Sequence, residues 1–293
     1  MYVLFTVLAG ILWGCISLFL KPITAAGLSS LQVMMIRGLL SAFFMFVFLA
    51  VKDRKLLKIE IKDIWMFIGT GIVSLTFFSI CYFKTILEVG TSIAVILLYT
   101  SPIFVLLMSV ILFRERITLK KIIALLMTFA GCVFVTGILS QGDGSLGLNP
   151  LLIGLGAGFG YALYSIFSRY ALKKYNALTV TFYTFLFSGV SLLPFVHVEK
   201  IPACMDWKML LLTAGIALIC TVLPYLFYTL GLTGLETSKA AILVTIEPLV
   251  GTLIGFLIWR EEVSVLKIIG IILIFISVVL LGLEDKTKSI ENE

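Results

Sequence analysis

Two ionisable residues stand where an apolar environment is least welcoming to charge. Glu247 lies in the middle of "TSKAAILVTIEPLVGTLIGFLIWREE", and Arg37 sits inside "SSLQVMMIRGLLSAFFMFVFLAVK". A charge at the centre of a bilayer-spanning helix costs at least about 2.5 to 3.5 kcal/mol, so each is expected to face protein or a wet cavity. Glu247 could bind a cation, carry a proton, or lock the kink made by Pro248, which lacks an amide and frees a carbonyl. Arg37 lies within roughly 5 Å of the midplane by helix rise and stays charged, so it needs a partner. An anionic ligand, Glu247 and backbone carbonyls are the candidates.

Aromatic residues with polar tips extend the set. Trp13, Tyr82, Tyr99, Tyr161, Tyr164, Tyr225 and Tyr228 lie away from the expected interface zone. Their N–H and O–H groups need partners there, so they would line a cavity if one exists. Lys84 is expected to snorkel near a span end, with a binding role as its alternative, and Lys239 likewise to snorkel. Glu88 and Glu236 are expected to be solvated. Arg114-Glu115 and Arg260-Glu261 are expected to form interfacial salt bridges. Gly154, Gly156, Gly158 and Gly160 predict close helix approach, and so do Ala240, Gly251 and Gly255 on the Glu247 face. Pro102 and Pro248 are the candidate hinges.

The elements that must position these residues follow from composition. The 293 residues are 61% hydrophobic and 13% charged, with mean hydropathy +1.17, far from a soluble domain. Ten spans are predicted: Tyr2 to Leu20, Ser30 to Val51, Asp63 to Phe83, Thr91 to Phe113, Leu119 to Leu139, Leu151 to Phe167, Ala177 to Val196, Met209 to Leu230, Thr237 to Trp259 and Val265 to Leu283. Most match the ~20 residues that cross a hydrocarbon core. Fifteen Lys and Arg fall in loops on the side of the N-terminus and six on the opposite side. The positive-inside rule then predicts cytoplasmic termini in a cell-membrane protein. The net charge of +6 reads as this topological bias, with no nucleic-acid partner. Cys15, Cys81, Cys132, Cys204 and Cys220 suggest neither a disulfide framework nor a metal site.

The chain also repeats. A shift of 146 residues lays Tyr82 on Tyr228, Thr91-Ser92 on Thr237-Ser238, Pro102 on Pro248, Arg114-Glu115 on Arg260-Glu261 and Lys121 on Lys267. A shift of 148 lays Gly10 on Gly158, Ser17 on Ser165 and Trp13 on Tyr161. Two five-helix halves, 1–139 and 151–283, joined by 140–150 and followed by a cytoplasmic tail at 284–293, account for this. Five is odd, so the halves should cross in opposite senses. Such inverted repeats are a common basis of alternating access.

The two proline-bearing spans that close on Arg-Glu, with "GILWG" in the first span and Arg37 in the second, resemble the EamA-type branch of the drug/metabolite transporter superfamily. The resemblance covers the whole chain. It implies an all-α membrane fold of ten helices, a central cavity, and export of small metabolites, often amino acids. An importer, exchanger or channel for a nucleoside, sugar or drug-like cation is the alternative. One histidine, His197, and no HExxH or GxSxG motif argue against an enzyme. The expected partners are a small-molecule substrate, the lipid bilayer, and protons or an exchanged solute. No cofactor or metal is expected, and monomer and homodimer are both left open.

Overall fold

The computed structural model describes residues 1–137, 147–201, 205–262 and 264–290, without the side chains of residues 200 and 283–290. Cys204, most of the expected linker and the end of the tail lie outside the described residues. Among the described residues, ten helices are long and apolar enough to cross a membrane. They are α1 (Tyr2–Ala25), α2 (Ser30–Lys52), α3 (Ile61–Val89), α4 (Thr91–Phe113), α5 (Leu119–Thr136), α6 (Leu148–Ala171), α7 (Ala177–Phe195), α8 (Trp207–Gly234), α9 (Thr237–Leu257) and α10, which has its apolar stretch at Val265–Gly282 and runs on to Ile290.

The helices outrun the apolar runs in places. α3, α6 and α8 extend beyond their expected ends, because helix continues into flanking polar residues that hydropathy excludes. α9 stops at Leu257, two residues short of the expected Trp259, where its last turn gives way.

Polarity is arranged for a bilayer. Phe43, Ile111, Leu126 and Phe275 are exposed, while Ser41, Thr128, Thr184 and Ser277 are buried. The buried hydroxyls bond each other or carbonyls across helices, as in Thr128 to Ser277 at 2.6 Å, Thr184 to Thr70 at 2.7 Å and Ser41 to the Ala217 carbonyl at 3.1 Å. With no water in hydrocarbon, such groups need internal partners.

The main packing pairs keep their equivalents when the two halves are exchanged. α1 lies on α8 as α6 lies on α3, and α1 lies on α9 as α6 lies on α4. The remaining main contacts pair α2 with α7, α4 with α9 and α5 with α10. Glu115, just past the end of α4, bonds the amide of Thr237 at the start of α9, so these two helices run antiparallel.

The irregularities repeat as well. Wide π-type turns occupy Gly69–Thr76 in α3 and Leu218–Val222 in α8. α4 is interrupted at Tyr99 and Thr100 before Pro102, and α9 at Val244–Ile246 before Pro248. Each proline leaves the carbonyl four residues earlier without its amide partner. The carbonyl freed by Pro248 belongs to Val244, and it rests where a Cβ on Gly10 would lie 2.5 Å away. In the other half, the carbonyls of Leu97 and Leu98 stand 2.7 and 3.4 Å from the Cβ position of Gly158. Glycine is needed at both places because backbone meets backbone. Gly154 and Gly160 likewise admit Leu97 and Phe78, as the glycine spacing of α6 predicts.

Candidate functional site

Broken helices and small residues leave a cavity between the halves. It measures about 740 Å³ counted out to its open mouth. Leu20 of α1, Ser30 of α2 and Phe83 of α3 lie along it, so it opens at the end of the bundle opposite the N-terminus. Six of the expected site residues line it: Trp13, Arg37, Tyr82, Tyr161, Tyr225 and Glu247.

The charged pair sits on different halves. Arg37 comes from α2 and is 8% exposed, while Glu247 opens the second segment of α9. None of the ion pairs among the described residues joins them. The Tyr225 ring lies beside Arg37. One cavity therefore offers a cation on one half and a carboxyl on the other, with space between them.

Aromatic rings make the walls. Trp13 meets Tyr225 edge-on with centroids 4.9 Å apart, and lies 6.3 Å from Tyr161 and 5.7 Å from Tyr228. Phe78 stacks on Tyr82 at 5.5 Å and meets Tyr161 edge-on at 5.4 Å. Such offset and edge-to-face contacts hold ring positions as well as bury area. The sequence reading missed Phe78, which lies one turn before Tyr82, and also Met34 and Ser30, which precede Arg37 by three and seven residues on its helical face. That spacing was available as a signal.

The remaining candidates lie deeper or elsewhere. Tyr99 and Tyr228 line a narrow recess below the cavity with Glu247, Ser101, Ser165 and Thr245. The Tyr228 hydroxyl shares a hydrogen bond with Ser165 at 2.8 Å, and that of Tyr164 with Thr229 at 2.6 Å. Tyr164 and Tyr228 thus build the floor with their polar tips already satisfied. Lys84 stands outside the cavity lining; its side chain is 56% exposed and lies 4.0 Å from Glu88.

The end nearer the N-terminus is closed by polar contacts between the halves. The Glu115 carboxylate accepts from the Thr237 and Ser238 amides at 2.5 and 3.1 Å and from the Ser238 hydroxyl at 2.5 Å. Lys121 is nearly fully buried beside it, 2.5 Å from Glu236 and 3.8 Å from Glu115. Within the second half, Arg169 donates to the carbonyls of Leu232 and Leu235. Lys174 bridges Glu60 at 2.5 Å and Asp63 at 2.6 Å.

Of that last group, Glu60 is held below the usual carboxylate range, first by its hydrogen bond to Lys174. Lys174 is held above the usual amine range, first by Asp63 and then by Glu60. The bridge is therefore complete across neutral pH. It is lost as pH falls through the lowered Glu60 value or rises through the raised Lys174 value.

Two expectations are corrected at these ends. Neither Arg114 nor Arg260 pairs with the glutamate that follows it. Both arginines take the left-handed conformation, with φ of 55° and 54°, which turns the chain and directs the glutamates elsewhere. Glu236 is exposed as expected and pairs with Lys121 as well. Lys239 is 5% exposed instead of snorkelling, because its helical turn is covered where Glu115 docks.

Ten apolar helices around a cavity open at one end form a multi-pass membrane transporter. The chain belongs to the EamA-like transporter family, which matches residues 1–137 and again residues 148–283. A relative from Archaeoglobus fulgidus described as an uncharacterized transporter is 25% identical over 265 residues, covering 90% of each chain. The uncharacterized inner membrane transporter YicL of Salmonella typhimurium is 23% identical over 285 residues, covering 96% of this chain and 95% of its own. A solved crystal structure superposes with a TM-score of 0.82 at 16% identity over 98% of both chains, and so shares the fold.

Proposed function

We propose that the chain is a secondary-active carrier that exports a small zwitterionic or polar metabolite, an amino acid or a related compound, by alternating access. The observation that carries this reading is the placement of Arg37 and Glu247 on opposite halves of one aromatic-walled cavity, unpaired with each other. A substrate carboxylate meets Arg37. A substrate ammonium, or a coupling proton, meets Glu247. Trp13, Tyr82, Tyr161 and Tyr225 supply apolar walls with polar tips, the usual make-up of a small-molecule site. Tyr99, Tyr164 and Tyr228 support it from below, and Lys84 stands by the entrance. Export is the direction that the family resemblance implies.

The halves work as inverted repeats, with Pro102 and Pro248 as hinges where α4 and α9 are interrupted. A thermal-shift screen of the purified chain against amino acids and related metabolites tests the substrate class, since a ligand of the folded state raises its melting temperature. Zwitterions should raise it and their N-acetylated or amidated analogues should not. Stabilisation by nucleosides or sugars alone would replace this substrate class.

The basic bias of fifteen against six supports cytoplasmic termini in a cell-membrane protein. A cysteine at Lys55 should resist membrane-impermeant maleimide in intact cells. Its labelling from outside would reverse the orientation.

A further inference from the structure

The two ends of the bundle carry the same device in different states. Past α4, Arg114 turns left-handed, the Glu115 amide reaches back to the Ser109 carbonyl at 3.3 Å, Thr118 caps the Lys121 amide at 3.3 Å, and Lys121 Nζ donates to the Arg116 carbonyl at 2.9 Å. Past α9, Arg260 turns left-handed, the Glu261 amide reaches back to Gly255 at 3.0 Å, Ser264 caps the Lys267 amide at 3.3 Å, and Lys267 Nζ donates to the Glu262 carbonyl at 3.0 Å. Each contact maps onto its counterpart 146 residues later.

The carboxylates differ, and so does the ion pair of Lys121 with Glu236, whose counterpart position is Gly90. Glu115 crosses to the other half and holds the first turn of α9, where Thr237 and Ser238 are fully buried. Glu261 instead pairs with Lys21 at 2.8 Å, and both side chains are about half exposed, at 49% and 48%. Its counterpart target is the first turn of α4, which begins with the same two residues, Thr91 and Ser92. In this structure Thr91 is exposed and Ser92 half-buried, at the open end of the cavity.

We propose that Glu261 is the latch of the cavity's open end. When that end closes, its carboxylate leaves Lys21 and takes the amides of Thr91 and Ser92 and the Ser92 hydroxyl, while Glu115 releases Thr237 and Ser238. The inference rests on the alternating-access reading and names the contacts that alternate. Helix amides at a first turn donate readily to a carboxylate, because they have no partner within the helix. The repeat supplies the same acid, the same flanking lysine and the same Thr-Ser start at both ends, so one set of contacts serves two conformations.

The test needs no substrate. In a chain with its native cysteines replaced, a cysteine at Leu20, at the open mouth, reports that end to a membrane-impermeant maleimide. Glu115→Gln should slow its labelling by about tenfold, the weight of one hydrogen bond to a charged group. Ser238→Ala, which keeps the carboxylate, should slow it in the same direction and serves if Glu115→Gln folds poorly. Adding Glu261→Gln or Ser92→Ala to either variant should restore fast labelling, whereas adding Glu262→Gln should not. Unchanged labelling in Ser238→Ala, or failure of both second substitutions to restore it, overturns the latch. Loss of transport with these labelling shifts intact counts against the substrate assignment and leaves the latch standing.

Discussion

Arg37→Ala and Glu247→Gln should each abolish most transport while leaving folded yield in membranes close to wild type. Arg37 borders the cavity beside Tyr225, and Glu247 faces it across the gap between the halves. A hydrogen bond to a charged group is worth about 1.5 to 3 kcal/mol, so losing the Arg37 contact should weaken substrate binding by roughly 10- to 100-fold. No direct ion pair joins the two residues among the described residues, so neither substitution breaks a contact between them. Arg37→Lys should retain only part of the activity, since a lysine keeps the charge but not the planar fork that matches a carboxylate. Uptake of a substrate identified by thermal shift, set against the amount of folded protein, measures this. Wild-type rates in both variants would make the two residues structural.

The second large effect concerns folding. Gly10→Val and Gly158→Val should each reduce folded yield sharply. The nearest atoms to a Cβ at Gly10 are the Val244 carbonyl oxygen at 2.5 Å and the Ile246 side chain at 2.6 Å. At Gly158 they are the Thr100 hydroxyl at 2.5 Å and the Leu97 carbonyl at 2.7 Å. Backbone atoms held by two interrupted helices cannot move aside. Overpacking of this kind costs about 1 to 3 kcal/mol or more, enough to shift a folding equilibrium by one to two orders of magnitude. Gly251→Ala is the control, since its nearest neighbour would be the Gly14 carbonyl at 3.8 Å. The recovered monodisperse fraction in detergent gives the answer. Equal yields for Gly10→Val and Gly251→Ala would contradict the packing described.

Much of this arrangement is legible in the sequence, for reasons that differ by residue. The ten helices follow from apolar runs of bilayer length, because hydrocarbon excludes the alternatives. The 146-residue register could be read because Pro102 and Pro248 fix the same backbone problem in both halves. Trp13, Tyr161 and Tyr225 were found because a polar tip inside an apolar span needs an internal partner. Phe78 carries no such tip and went unseen, although it shapes the same wall. Lys84 is expected to snorkel, with binding as its alternative, because a lysine at a helix end is free to turn outward, and its side chain is exposed.

The contacts at the ends were the least legible. Nothing local to "FRE" or "WRE" distinguishes an arginine that pairs with its neighbour from one that turns the chain left-handed, as Arg114 and Arg260 do. The partner of Glu115 lies 122 residues away, at the start of α9. That pairing depends on how the halves close, which hydropathy does not encode.

Counterflow in proteoliposomes separates a carrier from an open pore. Vesicles loaded with an excess of an unlabelled zwitterionic metabolite that stabilises the chain should transiently accumulate the labelled compound above its equilibrium level, with saturation, and Arg37→Ala vesicles should not. Equilibration without overshoot, or a flux that never saturates, would contradict a carrier that exposes one site alternately to the two sides of the membrane.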